Sequence, residues 1–205
     1  MDRNTGFFRI CWDNLLSLIV LNLLFLLGSV PLVTLPAAFA ALCRGTQTCL
    51  RGDAHPVRQF LAAFRRELFS ALAPGLLFLL FPVCLLYGCV FYRQAAAQAS
   101  WLLIPSVFCL VAVYLLLCCG HMAFHMLARV QLSAWQLIHN SVLLMLQVPR
   151  LLFTWLAAAV WLPVIALAFF PHSLPLLLLL IFAVSALCSG RSVLPIIETT
   201  ILKEK

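Results

Sequence analysis

Charge is scarce in this sequence. Only 9% of its residues are Asp, Glu, Lys or Arg, where a soluble globular domain carries about a quarter. The six acids, Asp2, Asp13, Asp53, Glu67, Glu198 and Glu204, all fall between or at the ends of apolar runs. Ion relays in membranes place ionisable groups inside the bundle, and only His121 and His125 could serve there, which disfavours a proton-coupled pump but not passage of a neutral solute. HExxH, GxSxG and GxxxxGK[ST] are all missing, which removes the usual signatures of a zinc protease, a hydrolase elbow and a phosphate-cradling loop. Ser189-Gly190 has no base beside it in sequence, which leaves only a distant partner. Alternating strand patterns are absent, so a β-barrel is not expected. No CxxC pair occurs among the nine cysteines. Cys84, Cys89, Cys109, Cys118, Cys119 and Cys188 lie inside apolar runs, where cysteine packs as a small hydrophobe. Neither a cofactor, nor a nucleic-acid partner, nor an enzyme activity is expected.

What the sequence has is apolar length. It is 65% hydrophobic over 205 residues, with a mean hydropathy of +1.12. A helix needs roughly 17–25 residues to cross ~30 Å of hydrocarbon. Leu68–Tyr92, Trp101–Leu127, Leu151–Phe170 and Leu174–Ser189 reach or approach that length, and a further apolar run extends from Leu15 to Cys43. The expectation is an all-α, polytopic membrane helix bundle, one integral membrane domain over 1–205. It has 5–6 membrane helices, at about 12–30, 34–50, 68–92, 101–127, 150–170 and 174–190. The opening residues, MDRNTGFFRICWDN, are only weakly basic, and the run behind them contains prolines and outlasts a signal-peptide core. The amino end is read as retained.

Lys and Arg set the orientation, because cytoplasmic loops hold their excess. Arg44, Arg51, Arg58, Arg65 and Arg66 crowd the first long loop, Arg129 and Arg150 flank a later one, and Arg191, Lys203 and Lys205 lie toward the carboxyl end. Arg93 stands alone in its loop. The carboxyl end is therefore placed in the cytoplasm. The first apolar run, broken at Pro31–Pro36, has three readings: one kinked span, a hairpin or a re-entrant segment. A kinked span leaves ten basic residues inside and three outside, whereas a hairpin leaves twelve and one. Charge favours the hairpin, with a cytoplasmic amino end. Pro31 ends a helix by removing a hydrogen bond and crowding the preceding turn. Thr34 is a good N-cap for the next helix, and Pro36 falls in its first turn, where proline is tolerated.

The loop HPVRQFLAAFRRE, His55–Glu67, reads as an amphipathic helix at the cytoplasmic interface. Arg58, Phe60, Phe64, Arg65 and Arg66 are its candidate contacts to lipid headgroups or a partner. Val130–Gln147 has a similar mixed character. Pro149-Arg150-Leu151-Leu152-Phe153 echoes Pro74-Gly75-Leu76-Leu77-Phe78, a short, leucine-rich hint of internal repetition. In CCGHMAFH, Cys118, His121 and His125 lie within about 60° on a helix of ~100° per residue, with Tyr114 on the same face. Thiolate and imidazole suit zinc or copper, but no fourth ligand is evident. The prevailing reading of these histidines is structural.

NLLFLLGSVPLVTLPAAFAAL, Asn22–Leu42, resembles the signature of the YesL family of bacterial membrane proteins, whose function is unknown. The matching residues are Asn22, Pro31, Val33, Thr34, Ala37, Ala38, Ala41 and Leu42, and Pro36 stands where the family usually has glycine. Arg51-Gly52-Asp53, followed by Phe60, Phe64 and Arg65, resembles that family's basic-aromatic loop. Genes of the family accompany carbohydrate-uptake genes. The resemblance thus implies a bacterial cytoplasmic-membrane protein that is accessory to sugar import, with the lipid bilayer and permease or ATPase subunits of an ABC transporter as partners. It brings no catalytic residues. The alternative is an autonomous small transporter or channel for a neutral solute.

Overall fold

The structure is a computed structural model describing residues 6–130, 132–147, 150 and 154–200. Every regular element among them is helical. In chain order they are α1 (Phe7–Asp13), α2 (Leu15–Ser29), α3 (Leu35–Arg51) and α4 (Pro56–Arg66), α5 (Leu72–Ala95) and α6 (Ser100–Leu127), α7 (Ala134–Gln147) and α8 (Trp155–Ala168), and α9 (Leu174–Ile197). Three of them, α5, α6 and α9, are long and apolar enough to cross a membrane, and α1–α2 counted as one bent span makes a fourth. That is fewer than the 5–6 expected, because α3 carries a polar half and α8 has only 14 residues.

The amino-terminal helix expected at 12–30 is two helices, bent by 76° at Asn14. Asn14 turns its side-chain amide back to the Ile10 carbonyl at 3.0 Å and so closes α1. Phe7 on α1 packs on Trp155 with ring centroids 4.5 Å apart. Arg191 of α9 lies over both rings, at 6.0 and 5.7 Å.

The first apolar run turns back on itself. Gly28 faces Ala38, and Gly45 faces Leu21, the pairing of an antiparallel hairpin. A Cβ on Gly45 would lie 2.6 Å from a Leu21 methyl, so glycine sets this close approach. At the turn, Thr34 is not the side-chain N-cap expected of it. Its hydroxyl is shared between the Gly28 carbonyl at 2.6 Å and the Pro31 carbonyl at 2.8 Å. Pro31 has no N–H to offer the end of α2, and the Leu27 carbonyl four residues back accepts from Val30 instead.

Helix α3 is the pillar of the bundle. Thirteen of its 17 residues are buried, and it contributes to both hydrophobic clusters. One cluster joins it to α5, α6, α7, α8 and α9, and the other to α2, α4 and α9. Its alanines and glycine let neighbours approach on several sides, but that burial leaves Thr46, Gln47 and Thr48 little access to water. Thr46 and Thr48 therefore bond back to the Leu42 and Arg44 carbonyls. Helices α4 and α7 each bury one face, through Phe60 and Ala63 and through Leu137, Ser141 and Leu144.

Prolines shape the remaining helices. Both α5 and α9 widen into a π turn, at Leu76–Leu80 and Leu177–Ile181. In α8, Pro163 cannot donate to the Ala159 carbonyl four residues back, and Ser185 of α9 donates to it instead at 2.6 Å. Burial in α5 is confined to Pro74, Gly75, Phe78 and Pro82. The rest of α5 runs beside α6 as a hairpin with largely exposed apolar residues, tied by Ser106 donating to the Cys89 carbonyl at 3.1 Å. The suggested repeat partner of Pro74–Phe78 lies largely outside the described residues.

Candidate functional site: a buried polar chain between two cavities

A polar chain runs through the apolar interior where α3, α6 and α9 meet. Arg129, just beyond α6, donates from Nε to Gln47 Oε1 at 2.9 Å. Gln47 Nε2 lies 2.9 Å from His125 Nδ1 and donates to the His125 carbonyl at 3.0 Å. On the far side of the ring, His125 Nε2 lies 2.8 Å from Ser189 Oγ. His121 Nδ1 reaches the same hydroxyl at 3.2 Å. Gln47, His125 and Ser189 are all buried.

The donors dictate the protonation pattern. A guanidinium only donates, so Gln47 must turn its oxygen to Arg129 and its nitrogen to His125. Nδ1 then accepts, and the imidazole proton sits on Nε2, pointing at Ser189. The Ser189 hydroxyl is directed in turn to the Ser185 and Ala186 carbonyls, at 3.2 and 3.1 Å. A serine nucleophile needs an unprotonated ring nitrogen facing it. Here the serine has imidazole neighbours, which sequence alone did not reveal, but His125 presents N–H to it rather than a lone pair. Gly190 makes the arrangement possible, because a Cβ there would lie 3.1 Å from His125 Cε1.

His121 and His125 converge on Ser189, while the Cys118 thiol pairs with Tyr114. The three residues that suggested a metal site are thus committed elsewhere. Among the described residues no group of three His, Cys, Asp or Glu is placed to hold a metal ion.

The chain joins two cavities of opposite character. His121 lines a cavity of about 380 Å³ walled by Phe25, Phe39, Phe78, Phe124 and Phe182, where Ser185 is the other polar side chain. The Phe39 and His121 rings meet edge to face, 5.2 Å between centroids. At the other end, Gln47 and Arg129 help line a small polar cavity with Arg44 and Arg51.

The remaining candidates separate. Arg58 and Arg65 are exposed on α4. Arg66 pairs with Glu67, which Ser70 also contacts. Phe60 is not on a docking face. It is 2% exposed in the core, stacked on the partly buried Phe64 at 6.2 Å, because α4 spends its aromatic face on the bundle. Pro31 is exposed in the turn, whereas Pro36 is buried in the first turn of α3 with its ring against Gly75. Asn22, known in sequence only as a family-pattern residue, donates to the Leu177 and Leu178 carbonyls at 2.9 and 2.7 Å and accepts from the Ala183 amide at 3.0 Å.

A chain whose described elements are all helical, with this apolar length and this sequestered polar interior, is a membrane-type helix bundle. Residues 18–89 match the family model described as "Protein of unknown function, DUF624". DUF624 is the domain family of YesL-like proteins, so the resemblance read from Asn22–Leu42 holds and the chain is YesL-like over that segment. No curated protein matches the chain, and no solved structure matches it.

Proposed function

We propose that this chain is a non-enzymatic, multi-pass protein of the bacterial cytoplasmic membrane, accessory to ABC-type carbohydrate import. The observation that carries the reading is the closed polar chain, which ends in an apolar cavity. A sugar presents hydroxyls that must be matched when they leave water. The five phenylalanines around His121 supply no such partners. His125 points a proton, not a lone pair, at Ser189, which supports a role without catalysis. The link to sugar import comes from the family resemblance.

In this reading α1–α2, α3, α5, α6, α8 and α9 are the membrane helices, and α4 lies at the cytoplasmic face. Arg58 and Arg65 then meet headgroups or a partner, and the exposed α5–α6 hairpin meets lipid or a permease. Co-purification from mild detergent tests it. Enrichment of a permease or ATPase subunit over a control membrane protein is expected, and its absence removes the accessory role. Topology is checked separately with a membrane-impermeant thiol reagent. A cysteine at Ala97 should label from outside, and one at Ala54 only after permeabilisation.

The second reading, an autonomous transporter, draws on the 380 Å³ cavity beside the broken first run. It requires solute flux in liposomes containing this protein alone.

A further inference from the structure

The polar cavity at the end of α3 farthest from the Pro31–Thr34 turn has no part in the reading above. Arg44, Thr48 and Arg51 lie at i, i+4 and i+7 and so share one face of α3. Arg129 closes the cavity from beyond α6, and Gln59 of α4 closes another side. The one acid in its lining is Asp53. Gly52 makes this closure possible. It adopts φ 72°, which glycine takes without strain, and there the Asp53 amide bonds back to the Thr48 carbonyl at 3.1 Å.

Three guanidiniums gathered around one small space repel one another, and a single carboxylate leaves an excess of positive charge. The neutral groups are largely committed inside the protein. The Gln47 amide is held by Arg129 and His125, and the Thr48 hydroxyl bonds to the Arg44 carbonyl at 3.0 Å. The space measures about 50 Å³. A single water needs roughly 10–15 Å³ on the same kind of measure, so a compact tetrahedral anion fits where a bulky organic molecule does not. Arg51, Asp53 and Gln59 are exposed at its mouth, which gives a ligand a way in. Guanidinium forks match phosphate oxygens in both charge and geometry.

We propose that this cavity binds a phosphate-class oxyanion, presented either by an anionic lipid headgroup or as free phosphate. Arg44 and Arg51 supply charge from one helix face. Arg129 supplies it from the far side while still holding Gln47, so the anion site and the His125–Ser189 chain share a residue.

The test measures thermal unfolding of the full-length protein in nanodiscs. Inorganic phosphate is compared with chloride at matched ionic strength in phosphatidylcholine discs. Phosphatidylglycerol discs are compared with phosphatidylcholine discs in phosphate-free buffer. A saturable rise in midpoint with inorganic phosphate assigns the site to free phosphate. A rise confined to phosphatidylglycerol assigns it to the headgroup. In either case the rise should be lost in Arg44→Gln and in Arg51→Gln but kept in Arg93→Gln, an exposed arginine outside the cavity. Arg51 is exposed, so its variant reports even if Arg44→Gln fails to fold. No rise in either comparison overturns the proposal. So does a rise that survives Arg51→Gln or is equally lost in Arg93→Gln.

Discussion

Asn22 of α2 holds Leu177 of α9 through a 2.9 Å bond from its amide to a backbone carbonyl. The same amide reaches Leu178 and accepts from Ala183, so one side chain is inserted into the widened turn of another helix. A side chain that enters a helical ladder in this way accounts for a local bulge. The π turn at Leu177–Ile181 and the asparagine opposite it are therefore one feature.

Asn22→Leu keeps the volume similar and removes all three bonds. Buried carbonyl and amide groups left without partners cost about 1–3 kcal/mol each. The midpoint of thermal unfolding in detergent should fall clearly. A variant as stable as the parent would show that the π turn satisfies itself.

Thr34→Val should loosen the hairpin turn, and Thr34→Ser should not. The hydroxyl that serves the Gly28 and Pro31 carbonyls is worth about 0.5–1.5 kcal/mol. Proteolysis at the turn reads the difference. Equal cleavage of Val and Ser variants would mean that the bonds contribute nothing.

Gly75→Ala would bring a methyl within 2.3 Å of the Pro36 ring, and overpacking of a rigid neighbour costs about 1–3 kcal/mol. Pro36→Gly removes that ring. The double variant should be more stable than the sum of the two single effects predicts, as coupling between contacting residues requires. A strictly additive cycle of unfolding midpoints would contradict the contact.

Gln47→Glu should move a proton. A carboxylate accepts from Arg129 on one side and demands a donor from His125 on the other. The imidazole proton then shifts from Nε2 to Nδ1, leaving a lone pair toward Ser189. Nitrogen-15 shifts of the labelled imidazole distinguish the two tautomers. An Nδ1–H signal already present in the parent would overturn the assignment.

Much of this fold is legible from local signals. Pro31 breaks the first run, the basic residues favour its return, and apolar length alone locates α5, α6 and the start of α9. α9 continues past the expected 190 because Val193, Leu194 and Ile197 are buried, a tertiary cause with no local marker. The polar chain was harder to see, since Gln47 and His125 are 78 positions apart and Ser189 a further 64 beyond His125. A buried glutamine in an alanine-rich helix signals that a partner exists but not which one. Phe60 misled because an aromatic stripe beside arginines looks the same whether it faces lipid or the helix next to it.

The segment that matches the family model, residues 18–89, is not self-sufficient. Asn22 finds its partners at Leu177, Leu178 and Ala183, and Gln47 finds its own at His125 and Arg129. During synthesis those partners leave the ribosome after the residues of the hairpin do. Gln47 is completed by α6 and the residue just beyond it, and Asn22 only by α9. A chain truncated before α9 therefore lacks each of the three backbone groups that Asn22 binds.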